Sequence, residues 1–554
     1  MSAARTFGCS CALLVLLAAA ASPATAAAAE HVPGLAEVTI RDARRNWKQT
    51  LAPGDFVPIA YDIPMFYLYR EGKELLIEQK GPTFSVRIDA APARLGGVAA
   101  SQPGGLEALK DAIARRVTPL TITCDAPTLK DLPAIPKEID VALVAQGDGF
   151  EGLAPFIARC PGLSALSVYA HSWVPDAELF KGLTGLTALS LELSPTPMGM
   201  IIDGADNRAR AQMKEVEDLR PLAELARVRS LALGGRFAAA DLGPLAKLTH
   251  LHTLSLGVPP KEGDLSALSA LTELERLDLG RPWGVRSLAA LVTLKRLAIL
   301  TIGAHHTLTD ISALGELEAL TKLHFHAGGE ESKLTTLTPL ARLKGLRELS
   351  IYGLSTIADL TPLAALRNLE TLWLRDMRQV RDIGPIGDLP SLEKLLLAEA
   401  PNLRDIAPLS KLANLTEFSL FSATTVDDLA PIQRMGELRS LSIHNLPDVT
   451  GLAPLARLPE LTSIHISSCP GIRDLSPLSA LANLTEVSFS ECEGLADLSP
   501  LAKLPRLANV TLWRCGNVGD LTPLRRFVKR GGKLTFEGNA DHEKVKRLRE
   551  GTDF

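Results

Sequence analysis

The sequence predicts an α/β solenoid, in which stacked copies of one unit place a parallel β-sheet on the concave face and short helical or 3-10 turns on the convex face. Two observations carry this prediction. One pattern recurs with a period of 23 residues over most of the chain. Within each copy, an aspartate, a proline and leucines at helical spacing precede a short stretch that alternates between aliphatic and polar residues. A single copy cannot bury its leucines alone, so stacking of copies must form the core.

The first element along the chain, residues 1–26, is predicted to be a signal peptide. Arg5 precedes the apolar stretch "CALLVLLAAAA", whose 11 residues are too few to span a bilayer, and Ala24–Ala26 fits a cleavage site for small residues. The alternative is an anchor that stays uncleaved. No later run of 18 apolar residues occurs in the sequence, so we expect an exported protein, periplasmic or secreted, with no membrane span in the mature chain.

The second element, residues 27–105, lacks the repeat. Its stretch "FVPIAYDIPMFYLYREGKELLIEQKGPTFSVRID" alternates and turns like a small β unit. Because a terminal repeat would otherwise expose its leucines to water, we interpret this segment as an N-terminal cap or a small β-containing domain. A function of its own is an alternative for the same segment.

The third element is the repeat array, residues 106–536. When the aspartate of "DLTPLAALRNLETLWLR" is counted as zero, leucine or a substitute stands at positions 1, 4, 7, 10, 13 and 15, and another aliphatic residue at position 21. Aspartate suits a helix N-cap, and proline suits the first turn. An insertion near residues 194–212 interrupts the array. The zero positions after the insertion are 218, 241, 264, 287, 310, 336, 359, 382, 405, 428, 451, 474, 497 and 520.

The last element, residues 537–554, contains "DHEKVKRLREG" and is predicted to form a charged helical cap on the final repeat.

The pattern Leu-x-x-Leu-x-Leu at positions 10, 13 and 15 resembles the leucine-rich repeat. The preceding half, D-L-x-P-L-x-x-L, resembles the bacterial internalin type in particular. The resemblance covers roughly Leu106 to Phe536 and implies a horseshoe or arc with the sheet on its concave face. Position 18, where the family carries asparagine or cysteine, is rarely asparagine here, so a polar ladder typical of the family is missing over most of the array.

Composition and motifs argue against several classes of function. The net charge of −4 and the pI of about 6.3 give no electrostatic footprint for nucleic acid. No GxSxG, HExxH, Walker or paired CxxC motif occurs, so we expect no enzymatic activity and no cofactor. An active site between the N-terminal segment and the insertion is a third possibility that no residue supports. The N-x-T triplets at Asn414, Asn483 and Asn509 match glycosylation acceptors, although the repeat composition explains them.

Positions 12, 14 and 16 are predicted to point away from the core. Position 16 is glycine in four successive copies and then becomes large. Aromatic residues and arginine most often anchor interfaces, whereas the alternative is that these side chains merely cover the sheet. The predicted partner-binding residues are His324, His326, Tyr352, Trp373, Arg375, Phe421, His444, His465 and Trp513.

The histidines raise the question of a metal. His324 and His326 share one face of a predicted strand, and two such ligands suit zinc or copper. No third ligand joins them in register, so we expect no metal site. A contact surface sensitive to pH is the other interpretation of these residues.

Three cysteines, Cys469, Cys492 and Cys515, are separated by the period of 23 residues. Each stands at position 18, which elsewhere takes small or apolar residues, so we expect a buried column in the core. A disulfide between neighbours or a metal site are the alternatives.

The sequence therefore predicts an exported, non-enzymatic scaffold that binds a protein, or a peptide or glycan, through its concave face. The alternative is a structural or envelope-associated protein whose residues 27–105 make the functional contact.

Overall fold

The structure is a computed structural model whose described residues form two compact units, Met1–Val174 with Leu193–Lys214 and Pro175–Glu192 with Glu215–Phe554. The predicted signal peptide, the insertion near 194–212 and all but the first residue of the predicted C-terminal cap lie outside the described residues. Before residue 105 only the backbone of five strands is described. Residues 105–537 are described except for 148, 171–174, 176–178, 181, 194–215, 217, 236–237, 258, 281–283, 304–306, 327–332 and 519.

The first unit begins with a four-stranded sheet in the order β2–β1–β3–β4. Its strands are β1 (Val38–Asp42), β2 (Trp47–Leu51), β3 (Glu74–Lys80) and β4 (Thr83–Ile88). The pairs β1–β2 and β3–β4 are antiparallel, whereas β1–β3 is parallel. The role of residues 27–105 as a cap or a small domain stays a prediction.

Parallel pairing begins later in the same unit. The strands β5 (Gly96–Ala99), β6 (Leu120–Asp125), β7 (Val141–Gly147) and β8 (Leu163–Ala170) pair in chain order. The helices of this unit are α1 (Gly105–Ala114), α2 (Leu153–Arg159) and the 3-10 helices Ala126–Asp131 and Phe150–Gly152.

The second unit is built from short parallel strands that repeat with the period of the sequence. Each strand alternates buried and partly exposed residues, because successive side chains of a strand point to opposite faces. The strands are β9 (Ala188–Leu193), β10 (Ser230–Gly235), β11 (Thr253–Leu256), β12 (Arg276–Leu279), β13 (Ile299–Ile302), β14 (Lys322–His326), β15 (Glu348–Tyr352), β16 (Thr371–Arg375), β17 (Lys394–Ala398), β18 (Glu417–Phe421), β19 (Ser440–His444), β20 (Ser463–Ser467), β21 (Glu486–Ser490), β22 (Asn509–Trp513) and β23 (Lys533–Glu537).

The strands pair with a constant register. Leu349 lies beside Leu323 and Leu372, so that the same repeat position meets itself in each neighbour. The pairing continues in this way from β10 to β23. This register confirms the predicted fold class, with its parallel sheet and its connecting turns.

The segments opposite the strands are mostly 3-10 helices. The sequence alone did not distinguish α-helical turns from 3-10 turns. Two short α-helices also occur, α3 (Gly384–Gly387) and α4 (Arg525–Lys529). The 3-10 helices are Arg220–Glu224, Gly243–Lys247, Lys261–Gly263, Ser266–Ala270, Ala289–Thr293, Ser312–Glu316, Thr338–Arg342, Thr361–Ala365, Ala407–Lys411, Ala430–Arg434, Ala453–Arg457, Ser476–Ala480, Leu501–Lys503 and Thr522–Leu524.

The aspartate at position zero caps the 3-10 turn, although it stands one residue before the N-cap residue itself. Asp359 Oδ1 accepts a hydrogen bond from the backbone N–H of Thr361 at 2.8 Å, and Asp405 Oδ1 accepts one from Ala407 at 2.7 Å. Thr336 replaces aspartate in one copy and makes the same bond through its hydroxyl. These bonds satisfy an N–H group that has no partner within the helix, which explains why aspartate recurs.

The core is an aliphatic column inside the repeats. The predicted leucine positions are buried throughout, and no more than 1% of any of these side chains is exposed in the repeat that begins at Asp359. Burial of this apolar surface is the main stabilising term, and each repeat shares it with its two neighbours. The buried residues of that repeat are Leu360, Leu363, Leu366, Leu369, Leu372, Leu374, Met377 and Val380.

The cysteines at position 18 belong to this core. Cys469, Cys492 and Cys515 are free thiols with no exposed surface. The Sγ atoms of Cys492 and Cys515 lie 3.6 Å from the carbonyl oxygens of Ile466 and Phe489, to which the thiols donate weak hydrogen bonds. The spacing of 23 residues is therefore the period of the fold.

Side chains also link neighbouring repeats from positions that sequence reasoning did not single out. The Nδ2 groups of Asn368, Asn414 and Asn483, all at position 9, donate to carbonyl oxygens of the preceding repeat at 2.9, 2.9 and 3.0 Å. Position 9 therefore supplies a polar ladder in several copies, although position 18 does not.

Position 17 has left-handed backbone in seven consecutive copies, although glycine occupies none of them. The φ angles lie between 51° and 62°, a region that side chains with a Cβ disfavour. The N–H groups of Glu399 and Ser422 still donate to the carbonyl oxygens of Phe421 and His444 on the next strand. The strand ladder thus extends through this turn. The residues are Asp376, Glu399, Ser422, Asn445, Ser468, Glu491 and Arg514.

Candidate functional site

The side chains at positions 12, 14 and 16 form one face of the sheet in the second unit, which we call the exposed face. In β16, for example, Trp373 and Arg375 alternate with the buried Leu372 and Leu374. The structure places all nine predicted residues on this face. They are His324 and His326 on β14, Tyr352 on β15, Trp373 and Arg375 on β16, Phe421 on β18, His444 on β19, His465 on β20 and Trp513 on β22.

Two ring contacts bring four of the nine residues together. His326 and Tyr352 meet edge to face with ring centroids 6.2 Å apart, and Phe421 and His444 meet in the same way at 6.0 Å. Such contacts hold both partners in defined rotamers. They form two aromatic pairs on the exposed face, one on β14 and β15 and the other on β18 and β19, with β16 and β17 between them.

An ion-paired cluster lies between β14 and β15. His324 Nε2 is 3.3 Å from Glu348 Oε1, and Lys322 Nζ is 3.0 Å from Glu348 Oε2. Burial alone would raise the pKa of Glu348, but the hydrogen bond from His324 and the charge of Lys322 outweigh it and bring the pKa to about 2. Glu348 is therefore ionised at neutral pH, and the His324 side chain leans from its own strand over β15.

Two further ion pairs cross neighbouring strands. A terminal guanidinium nitrogen of Arg375 lies 2.8 Å from Glu399, and Lys394 Nζ lies 2.9 Å from Glu417. Together with the Lys322–Glu348 pair, these contacts give each of these basic side chains an acidic partner within the chain. This part of the exposed face therefore presents little net charge to a partner.

Several apolar side chains lie among these ion pairs and form what we call the central apolar patch, with Arg375 between Tyr352 and Ala398. It consists of the partly exposed Tyr352, Trp373, Leu396 and Phe421 and the buried Ala398, on the consecutive strands β15 to β18. Sequence reasoning missed Leu396 and Ala398, because it selected only aromatic residues, histidine and arginine. Their positions in the repeat, 14 and 16, were the available signal.

Three of the histidines have pKa values below the ordinary value. Burial lowers the pKa of His326, and the nearby positive charge of Arg375 lowers it further. Burial also lowers the pKa of His444 and His465, against the opposing charges of Glu491 and Glu486. These imidazoles are neutral near pH 7 and act as polar aromatic surface there.

Trp513 lies apart from the other candidates, since β21 separates its strand from β20. Its ring stacks under the guanidinium of Arg514 at 4.2 Å, and Arg514 is 3.4 Å from Glu491. Arginine over an indole face is a favourable contact. The structure therefore gives Trp513 a local partner and does not join it to the central apolar patch.

Two polar groups on the exposed face are buried without a hydrogen-bond partner in the described part of the chain. Ser350, at position 14 of β15, has no exposed surface, and its Oγ has no partner. On β12, the Oδ1 atom of Asp278 is likewise unpartnered, although its Oδ2 accepts a hydrogen bond from Ser255 at 3.4 Å. Burial raises the pKa of Asp278, against the effects of the Ser255 hydroxyl and of His324.

The face before β14 is smooth, because position 16 is glycine from β10 onward. At Gly257 a Cβ atom would lie 2.7 Å from the carbonyl oxygen of Leu233, so the close approach of β10 and β11 requires glycine. The large side chains thus begin at β14, where the predicted binding stretch begins.

The residues that the structure describes also bear on metal and membrane chemistry. Among them, no group of three or more His, Cys, Asp and Glu side chains is arranged to hold a metal ion. In the same ranges, no helix has the length and apolarity needed to cross a bilayer.

Solved structures share this architecture. A leucine-rich repeat protein of Leptospira interrogans is 14% identical, with a TM-score of 0.52, and the match covers 80% of this chain and 97% of that protein. The internalin inlF of Listeria monocytogenes is 23% identical, with a TM-score of 0.47, over 60% of this chain and 88% of its own. No family model and no curated protein matches the chain. The chain has the leucine-rich repeat fold.

Proposed function

We propose that the protein is an exported, non-enzymatic leucine-rich repeat scaffold that binds a protein partner through the exposed face between β14 and β22. The observation that carries this proposal is the central apolar patch, which lies among ion pairs already satisfied within the chain. Aromatic and arginine side chains are the residues that most often anchor interfaces.

The mechanism of binding is rigid presentation. The sheet holds Trp373 on β16 and Phe421 on β18, two strand spacings of about 4.8 Å apart, so little side-chain or backbone freedom is lost when a partner docks. Export is supported by the apolar stretch and the Ala24–Ala26 site near the N-terminus. N-terminal sequencing of the exported protein should therefore begin at Ala27.

The experiment tests binding in two stages. A photo-reactive amino acid in place of Thr371, beside Trp373 on β16, identifies what the exported protein contacts in its own cells. The purified partner is then titrated against Trp373→Ala and Phe421→Ala. Each substitution removes an interface anchor of at least about 2 kcal/mol, so each should weaken binding about 30-fold. The matched control is Arg457→Ala, an exposed residue of a 3-10 helix on the opposite side of the repeat.

Deletion of residues 27–105 separates the two hypotheses. Our proposal expects the truncated protein to bind the same partner with unchanged affinity, provided its circular dichroism shows a folded array. Loss of binding on deletion, with both alanine variants binding normally, would instead favour an envelope-associated role for the N-terminal segment.

A further inference from the structure

The unpartnered hydroxyl of Ser350 is unusual for its location. Residues at position 14 point away from the core, and their equivalents Thr301 and Trp373 are partly exposed. Ser350 has no exposed surface, and its Oγ forms no hydrogen bond within the described residues. A buried hydroxyl without a partner destabilises a fold, so the rest of the face must enforce this arrangement.

Two residues of the exposed face flank Ser350. His324 and Trp373 are the register partners of Ser350 on the two adjacent strands. His324 is drawn across β15 by its contact of 3.3 Å with Glu348, two residues before Ser350 on the same face. The hydroxyl thus lies in register between His324 and Trp373, the two side chains that a partner would have to displace to reach it.

We propose that Ser350 is a recognition residue, whose hydroxyl donates a hydrogen bond to a main-chain carbonyl of an apolar peptide segment docked on the central apolar patch. This inference rests on the proposed binding function and names the chemistry of the partner. His324 rotates aside, the peptide carbonyl takes its place above β15, and an apolar side chain of the peptide packs on Trp373 and Leu396.

The surrounding groups favour a peptide over a glycan. A glycan presents many hydroxyl groups and needs several unpaired donors and acceptors on the protein. Around Ser350, however, the charged groups Lys322, Arg375 and Lys394 are already paired with Glu348, Glu399 and Glu417. A free hydroxyl beside a run of apolar side chains matches one carbonyl and one apolar side chain of a polypeptide.

The test uses a displayed library of random 12-residue peptides selected on the full exported chain, with a glycan array as a second probe. Selected peptides are synthesised, and their Kd values are measured on the parent protein, Ser350→Ala, Trp373→Ala and Ser442→Ala. Ser442 is the matched control, because it is a serine at the same repeat position on β19 and is partly exposed.

We expect enriched apolar peptides whose Kd rises about tenfold in Ser350→Ala, the loss of about one hydrogen bond, and is unchanged in Ser442→Ala. The thermal midpoint of Ser350→Ala should equal or exceed that of the parent protein, because the substitution removes a buried unpartnered group.

The other outcomes are distinct. Peptides that lose affinity in Trp373→Ala but not in Ser350→Ala overturn this inference and leave the proposed binding face intact. Peptides whose Kd is unchanged in both Trp373→Ala and Ser350→Ala would contradict the proposed binding face itself. If no peptide is enriched, or if glycans bind instead, the chemistry assigned to the partner is wrong.

Discussion

The buried cysteines make a quantitative prediction about thiol reactivity. A thiolate is the reactive species, and burial raises the pKa of Cys124, Cys160 and Cys492 to about 12, from an ordinary value of 9.0. Near neutral pH this reduces the thiolate population about a thousandfold, before any effect of steric shielding is counted. Burial also raises the pKa of Cys469 and Cys515.

The perturbation is Ser490→Cys, which adds a thiol at position 16 on the exposed face of the repeat that contains Cys492. In a chromogenic disulfide-exchange assay at pH 7.5, the introduced thiol should react promptly. Of the five native thiols of the chain from Ala27 onward, Cys124, Cys160 and Cys492 should react about a thousandfold more slowly in the folded protein, and the other two should also be slowed; all five should react together after unfolding in guanidinium.

Two results would refute this reasoning. Native thiols that react as fast as the introduced one would show that position 18 is open to solvent. If the unfolded parent protein yields only three reactive thiols in the absence of reductant, two of its five cysteines form a disulfide.

Two further predictions concern pH and the polar ladder. Burial lowers the pKa of His465 in the folded protein below its ordinary value of 6.5. The stability linked to the neutral imidazole is therefore fully present above pH 6.5 and is lost as the pH falls from there through the pKa of the folded state. The thermal midpoint should therefore fall between pH 7.5 and pH 5, and by less in His465→Gln; an equal fall in both proteins would contradict the assignment. Asn414→Ala removes the bond of Nδ2 to the carbonyl oxygen of Pro390 at 2.9 Å and should destabilise the fold by about 1 kcal/mol in denaturant titrations. Asn509→Ala, on the exposed face, is the control and should change stability by less than about 0.5 kcal/mol.

The repeat made much of the fold predictable from the sequence. The leucines at positions 13 and 15 fixed which strand residues are buried, and therefore which residues at positions 12, 14 and 16 remain on the exposed face. The cysteine column followed from the same register. Periodicity is strong here because each copy meets the same neighbours and must satisfy the same packing.

Other features depend on contacts that differ from copy to copy. The unpartnered hydroxyl of Ser350 and the contact of His324 with Glu348 were not predicted, because no pattern in a single copy records them. The left-handed backbone at Asp376 and Glu399 was not predicted either, because glycine is the usual signal for it. Leu396 was overlooked at the site because binding residues were sought among aromatic and polar types.

The constant register has a consequence for how such a molecule changes in length. Removal of residues 405–427 joins Arg404 to Asp428, and β17 then meets β19 with the partners that β18 had offered, because Phe418 and Leu441 hold the same place in their strands. Loss of one residue within a strand would turn the rest of that strand over and place its leucines in water, whereas the three extra residues between the zero positions 310 and 336 leave Leu323 beside Leu349. Unequal recombination between copies can therefore lengthen or shorten the face by whole strands, about 4.8 Å at a time, without redesign of the core.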